Sequence, residues 1–405
     1  MTTPAFDALI LNAPLRQSLM AVRSLGRRGL RVAAAGASLD APTFASRYCS
    51  AGFAFPPEEE GDRYLVVLED WLGQRGARVV IPSHDGTIAL LRAHRERLGK
   101  RTRLALASER ALAIAVNKER TLAEAGRLGI RTPREAVLRA PGDLPAAVQA
   151  IGFPAVLKPS ESWLGDDRAG HWVGPTLVVD EDEAAQVVDG LTGSGGSALF
   201  QQYLPGRREA VSFVYAAGRV HARFAQWAAR TRPPLGGESV LRQAIPVPPD
   251  IGEQAEALIR AIDLEGYSEV EFRRDDAGVP YLMEINPRLS ASVEVAVRAG
   301  VDFPALLYQW AAGEPVDSVA TYRPGGWMRH LGGDVETTLA SVEQRGRPGV
   351  PPPGRVVADF ALSFFRGAGY DYVDWRDPRP AMVAGGRYAG RLMDRVFSRA
   401  LRALS

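Results

Sequence analysis

The sequence predicts an α/β protein: a doubly wound parallel-sheet domain first, then a mixed α+β region, then a C-terminal extension. Three observations carry this. Between Ala8 and Ala35 an apolar run, an amphipathic segment and a second apolar run follow one another, which is the pattern of a βαβ unit and hence of a parallel sheet. Between Leu199 and Ile285 short strand-like runs alternate with turns, and one pair reads as a hairpin. Beyond about residue 320 the periodic signal weakens.

The elements follow in order. Ala8 to Leu11 is a buried strand, and Ser18 to Arg28 a helix with Leu19, Val22 and Leu25 on one face. Gly29 stops that helix before a strand over Leu30 to Ala35. A helix over Tyr64 to Gln74 and a strand over Val79 to Ile81 continue the winding, so residues 1–116 read as one domain. Asn117 to Gly129 is a helix with a glycine stop, Leu144 to Ile151 a short helix, and Phe153 to Pro159 a strand. Ser160 to Pro175 reads as a polar loop, Thr176 to Val179 as a strand and Glu181 to Leu191 as a helix. Strands over Leu199 to Leu204, Ala210 to Ala216 and Val220 to Trp227 precede a helix over Ile251 to Ile262. Tyr267 to Arg273 and Pro280 to Ile285 form a hairpin across Asp275 to Gly278. Helices over Val293 to Gly300 and Phe303 to Gly313 follow. In the tail, 346–354 is a Pro/Gly-rich linker, Val356 to Phe365 a strand, and Leu392 to Leu404 a basic helix.

Composition narrows the function classes. With 405 residues, 46% apolar and 24% charged, the chain is an ordinary globular protein of several domains. Lys and Arg number 49 against 47 Asp and Glu, a net charge of +2, which gives no basic footprint for nucleic acid. A single cysteine, Cys49, excludes an intrachain disulfide and a cysteine-held zinc. The N-terminus lacks a signal-peptide pattern and no apolar run reaches a membrane span, so a soluble cytoplasmic protein is expected. Gly193 to Ala198 fits a relaxed dinucleotide fingerprint, but it follows a helix and precedes a strand, the reverse of what that site needs. There is no P-loop and no nucleophile elbow.

The hairpin carries the chemistry. Glu284 and Asn286 stand two apart and share a strand face, and the turn brings Glu271 opposite them. Two carboxylates and an amide oxygen are hard ligands suited to Mg²⁺ held between protein and nucleotide phosphates. Without a cation the carboxylates repel and one protonates. Lys158 ends an apolar strand and Lys118 opens a helix, places from which an ammonium neutralises phosphate oxygens. Crevices of wound sheets lie at the carboxyl ends of strands, where Asn12 to Arg16 and Ser83-His84-Asp85 sit. His84 and Asp85 are there either ligand contacts or turn and capping residues.

The order Asn117-Lys-Glu-Arg, Phe153-Pro-Ala-Val-Leu-Lys-Pro, Gln201-Gln-Tyr-Leu-Pro-Gly, Glu269-Val-Glu-Phe, Met283-Glu-Ile-Asn-Pro-Arg resembles the ATP-grasp superfamily. Its flavour is the carbamoyl-phosphate-synthetase-like, ATP-dependent carboligase branch, which Arg230 to Ser239 with Leu241-Arg-Gln also resembles. The resemblance covers roughly residues 5 to 315. It implies a two-lobed region, with a lid subdomain over 117–198 and a catalytic subdomain over 199–318, leaving 319–405 as the extension. It implies ATP, with Mg²⁺ or Mn²⁺, as cofactors. Lys118 and Lys158 would contact phosphates, Lys158 also lying near adenine. Gln202, Tyr203 and Leu204 would read adenine, and Glu209 would bind the ribose hydroxyls. Glu271, Glu284 and Asn286 would hold the metal. Arg288 would touch the transferred phosphate or acyl phosphate, and Arg242 shares that role. Ser160 to Thr176 would be the lid. The lid is poorer in glycine than usual, the hinge has Gln202 where Glu is common, and Glu271 replaces Asp or Gln.

The implied reaction is ATP-dependent ligation of a carboxylate to an amine through an acyl phosphate. The partners are small-molecule carboxylates and amines, including amino acids or a peptide, with no nucleic acid or membrane, and a homodimer. Arg230 and Arg232 read either as a bidentate clamp on a substrate carboxylate or as a solvated loop. Asn12, Arg16 and Glu238 are further substrate candidates. The segment with Trp327, Arg329, His330 and Asp334 either caps the substrate site or packs on the core. The alternatives are a bicarbonate-using carboxylase or carbamoyl-phosphate-type enzyme, and a nucleotide-binding regulator without turnover.

Overall fold

The computed structural model describes residues 4–166, 168–193 and 196–390. The first sheet is parallel throughout. Its strands β1 (Phe6–Ile10), β2 (Val32–Gly36), β3 (Ala51–Ala54), β4 (Ala77–Ile81) and β5 (Arg103–Leu104) lie in the order β3-β2-β1-β4-β5. The helices between them are α1 (Arg16–Arg27), α2 (Gly61–Gln74), α3 (Asp85–Ala93) and α4 (Arg95–Gly99), with α5 (Glu109–Ala115) following β5. The β1–α1–β2 unit forms as its pattern predicts, because Leu19, Val22 and Leu25 all bury and Gly29, at φ +83°, supplies the reversal.

The second sheet is small and antiparallel, β10-β7-β11-β6. It comprises β6 (Glu135–Leu138), β7 (Ala155–Pro159), β10 (Thr176–Val178) and β11 (Ala198–Gln202), backed by α7 (Leu144–Ile151) and α8 (Glu181–Thr192). It has its own core, including Leu138, Leu157, Val188 and Phe200. Helix α6 (Lys118–Arg127) leads into it, and the Asn117 side chain caps that helix by accepting from Arg120 N at 3.0 Å. The stretch 160–175, expected as a loop, contains a two-stranded ribbon, β8 (Trp163–Gly165) with β9 (Gly170–Trp172). Trp163 explains it: the ring is buried and lies so close over Gly86 and Gly170 that a Cβ on either would meet it within 2.5 Å.

The third sheet has seven strands, β16-β15-β12-β13-β14-β17-β18. These are β12 (Arg208–Ala216), β13 (Arg219–Arg232), β14 (Glu238–Ile245), β15 (Gly266–Arg274), β16 (Pro280–Asn286), β17 (Trp327–Arg329) and β18 (Gly369–Tyr370). Helices α9 (Pro249–Ala261), α10 (Glu294–Ala299) and α11 (Phe303–Ala312) pack on it. The β15–β16 turn closes as its sequence demands: the Asp275 side chain accepts from Ala277 N and Val279 N, and Gly278 takes φ +79°. The C-terminal stretch joins this sheet through β17 and β18 and adds α12 (Leu331–Glu343) and α13 (Pro353–Leu362).

Residues 356–362 of the expected strand over Val356 to Phe365 are therefore helical. Prolines 352 and 353 start a helix, and apolar Val356 and Phe360, four apart, share a face while Val357 and Leu362 stay exposed. Strands β14, β17 and β18 and helix α12 carried no expectation, and the expected helix over Leu392 to Leu404 lies outside the described residues. Among the described residues, no helix is long and apolar enough to cross a membrane.

Candidate active site

One cavity of about 1490 Å³ opens where the small sheet, the seven-stranded sheet and the first domain meet. Glu271 and Glu284 are register partners across β15 and β16, and a bulge follows Glu271. The Asn286 amide bridges them, donating at 3.1 Å to Glu271 and 3.5 Å to Glu284. The three residues thus converge as the hairpin geometry predicts.

Two cations flank Glu284. The Lys118 ammonium lies 3.9 Å from its carboxylate and donates to Ser162 Oγ at 2.8 Å. The Lys158 ammonium donates to the Met283 carbonyl at 3.4 Å. Burial acts to raise the Glu284 carboxyl, but Lys118 and Lys158 outweigh it and hold it below its ordinary range. Glu271 is driven the other way by burial and by repulsion from Glu284, despite Arg208. Burial also lowers the Lys158 ammonium to about 8.

The donor set fits Mg²⁺ or Mn²⁺. Two carboxylates and an amide supply hard oxygens on one strand pair and leave the remaining positions to phosphates and water. Turned over, the amide that now bridges the carboxylates through its NH₂ presents its oxygen instead. Among the described residues no group of three or more His, Cys, Asp or Glu is placed to hold a metal, so the amide is needed to complete this set.

Arg208 was not foreseen. Its guanidinium donates to both Glu271 oxygens, through Nε at 2.8 Å, and fixes the carboxylate facing the cavity. The signal was there: strand alternation carried two residues upstream of Ala210 puts Arg208 on the face that carries Glu271.

The remaining candidates divide. Gln202, Tyr203, Leu204 and Glu209 line the cavity, with Glu209 held by Arg274 at 2.8 Å and Arg207 at 2.9 Å. Arg288 and Asp85 line it as a bidentate pair, at 2.6 and 3.1 Å. Asp85 is therefore the partner that orients Arg288, and that guanidinium outweighs burial to keep its carboxyl well below the usual range. Asp85 also accepts from Trp172 Nε1 of the ribbon at 3.2 Å, which ties the expected lid to the first domain. His84 lines the cavity with Nδ1 against Glu58, a carboxylate the sequence had not flagged and to which Asn12 donates.

Arg242 and Arg230 are not brought to the cavity wall. Arg242 is fully buried and bound to the Asp371 carboxylate. Arg230 is clamped by Asp334 at 2.5 and 2.7 Å and donates to Ser363. Each is spent on a carboxylate from the C-terminal stretch, which is why neither is free for a phosphate or a substrate. Arg232 does line the cavity, with Glu336 and Glu238 as its partners. Arg16 joins the same network, to Asp371 at 2.6 Å and Glu238 at 2.7 Å.

A family model described as "ATP-grasp in the biosynthetic pathway with Ter operon" matches residues 196–331. The D-alanine–D-alanine ligase of Pseudomonas entomophila is 30% identical over 229 residues, 52% of this chain and 67% of that ligase. The corresponding ligase of Stutzerimonas stutzeri is 27% identical over 215 residues, 49% of this chain and 64% of its own. Among solved structures, the L-amino acid ligase from Bacillus licheniformis superposes with a TM-score of 0.63 at 17% identity, covering 80% of both chains. An N5-carboxyaminoimidazole ribonucleotide synthetase in complex with ADP gives 0.64 at 14% identity, covering 90% of this chain and 100% of that one. The chain belongs to the ATP-grasp superfamily.

Proposed function

We propose that this protein joins a small-molecule carboxylate to an amine at the expense of ATP, through an acyl phosphate. The carrying observation is that Glu271, Glu284 and Asn286 converge in one cavity with Lys118, Lys158 and Arg288. The cavity is lined by Gln202 to Leu204 and Glu209 for the nucleoside, and the two lysines and Arg288 neutralise phosphate oxygens. A carboxylate oxygen attacks the γ-phosphorus in line as the bond to ADP breaks. The amine nitrogen then bonds to the acyl carbon as phosphate leaves, and its proton passes to a base or to water. Glu271, Glu284 and Asn286 would hold a divalent metal, which would supply charge neutralisation to the nucleotide phosphates. His84 stands at the same wall, with Glu58 against its Nδ1.

The sequence relatives favour an amine as nucleophile, since they include D-alanine–D-alanine ligases. A bicarbonate-using activity rests on likeness of fold alone. Substrates of amino-acid size, a homodimer and a cytoplasmic location belong to the proposal, and light scattering checks the dimer.

The test is Mg²⁺-dependent ADP release with pooled carboxylates, with and without pooled amino acids, and with bicarbonate as a separate arm. Release that needs both pools and disappears in Glu284→Ala supports the ligase. Release with bicarbonate alone replaces it by the carboxylating reading, and nucleotide binding without release under any set replaces it by a regulator.

A further inference from the structure

We propose that the C-terminal extension builds a second-substrate pocket, continuous with the nucleotide site, for an amino acid or short peptide bearing an aromatic or bulky apolar side chain. The inference rests on the ligase reading and deepens it. The cavity, at about 1490 Å³, exceeds the roughly 300–1,000 Å³ of ordinary small-ligand sites. A nucleotide between Lys158 and Gln202–Leu204 occupies one end of it. The other end is walled by the extension: Leu331, Val335, Phe360, Phe364, Tyr372 and Tyr388 all line it.

The wall is built rather than incidental. Arg329 is fully buried, its guanidinium carbon 4.5 Å from the Phe360 ring centre and 4.1 Å from that of Phe364, and its Nε donates to Asp334 at 2.6 Å. Its Nη1 has no protein partner. His330 Nδ1 and Ser239 Oγ, buried polar atoms on the same cavity, also lack one. Burial, with Arg16 nearby, pushes the His330 ring down to about 3, so it is neutral and offers one donor and one acceptor rather than a charge. Buried polar atoms are nearly always satisfied, so unmet ones on a cavity wall mark where a ligand's polar atoms go. An aromatic wall interrupted by unmet hydrogen-bonding atoms suits an apolar side chain carried on a carboxylate or amide backbone. A nucleoside phosphate does not match it, because Arg16, Arg232, Arg242, Glu238 and Asp371 are already paired with one another.

The test is calorimetric binding of L-phenylalanyl-L-phenylalanine and L-alanyl-L-alanine to the full chain, saturated with Mg²⁺ and a non-hydrolysable ATP analogue. The expected result is at least tenfold tighter binding of the aromatic dipeptide. Phe364→Ala, at a side chain 49% exposed, is expected to shrink that preference below threefold with the analogue's affinity unchanged. Leu331→Trp, at a position 39% exposed, narrows the pocket and is expected to weaken the aromatic dipeptide tenfold more than the alanine one. Equal affinities, or a preference that neither variant moves, overturn the inference while leaving the ligase reading standing. Failure of the analogue itself to bind overturns the ligase reading and this inference together.

Discussion

Asp371 is the most exacting place to perturb this structure. It directly follows β18, is 3% exposed, and takes the Arg16 guanidinium at 2.6 Å and the fully buried Arg242 guanidinium at 3.1 Å. Asp371→Asn keeps the volume and removes the charge. Arg16 retains Glu238, but Arg242 loses the carboxylate that balances it. Breaking a buried pair by removing one partner costs about 3–5 kcal/mol, because an uncompensated charge stays buried. At about 2–4 °C per kcal/mol for a protein-sized unit, the melting temperature falls by roughly 6–20 °C. The pH dependence has a definite sign. The Asp371 carboxyl is held below its ordinary value, chiefly by Arg242 and Arg16 against the cost of burial. Its contribution is present above the unfolded carboxylate value near 3.8 and is lost as pH falls through the folded one. The gap between wild type and Asp371→Asn is therefore constant from pH 7 to 5 and narrows below about pH 4. Urea unfolding followed by tryptophan fluorescence measures it, and amide exchange at 327–329 and 369–371 localises it. The double variant Arg242→Met, Asp371→Leu costs less than Asp371→Asn alone, since replacing both partners leaves no orphaned charge. A single-variant loss under 1 kcal/mol at pH 7, or a double variant worse than the single, refutes this account.

Three further outcomes are expected. Asp85→Asn releases one side of the Arg288 clamp, and a misplacement of about 1 Å costs up to about 10²-fold in rate; kcat falls while nucleotide affinity changes less than twofold, and an unchanged kcat removes Asp85 from its orienting role. Gly266→Ala meets both φ +86° and the Trp310 ring at 2.7 Å, so it destabilises by about 1–3 kcal/mol in urea titration. Burial pushes the Cys49 thiol up to about 11, so alkylation by iodoacetamide at pH 8 is about 10²-fold slower than for a free thiol, speeds up towards pH 11, and leaves ADP release intact.

What the sequence revealed of the site depends on how local each cause is. Glu271, Glu284 and Asn286 could be placed together because strand alternation and one four-residue turn decide their geometry. Lys118 could be placed because its helix begins at a capping asparagine. Arg230 and Arg242 had the same surface look as Arg232, yet the structure separates them. Their partners, Asp334 and Asp371, are 104 and 129 residues further on, and no pattern near either arginine announces them. The helix at Pro353–Leu362 was misread for a related reason. Two adjacent valines favour a strand by propensity, and only the proline pair at its start spoke for a helix.

The same distinction explains why the two ends of the cavity differ in legibility. The end proposed for the nucleotide is assembled from hairpin, strand-end and helix-start elements whose residues are neighbours in sequence or in one strand pair. The opposite end depends on β17 and β18, which extend the seven-stranded sheet beyond β14 and carry Arg329, Tyr370 and the adjoining Asp371 to the cavity wall. Each of these strands is two or three residues long, too short to show a period. Strand β17 pairs with β14 through the backbone, and Asp371, next to β18, is held by arginines on α1 and β14. Loss of those pairs is therefore expected to loosen the far wall while leaving the Glu271, Glu284 and lysine cluster in place: Asp371→Asn, at temperatures where it remains folded, should weaken the proposed second substrate more than the nucleotide.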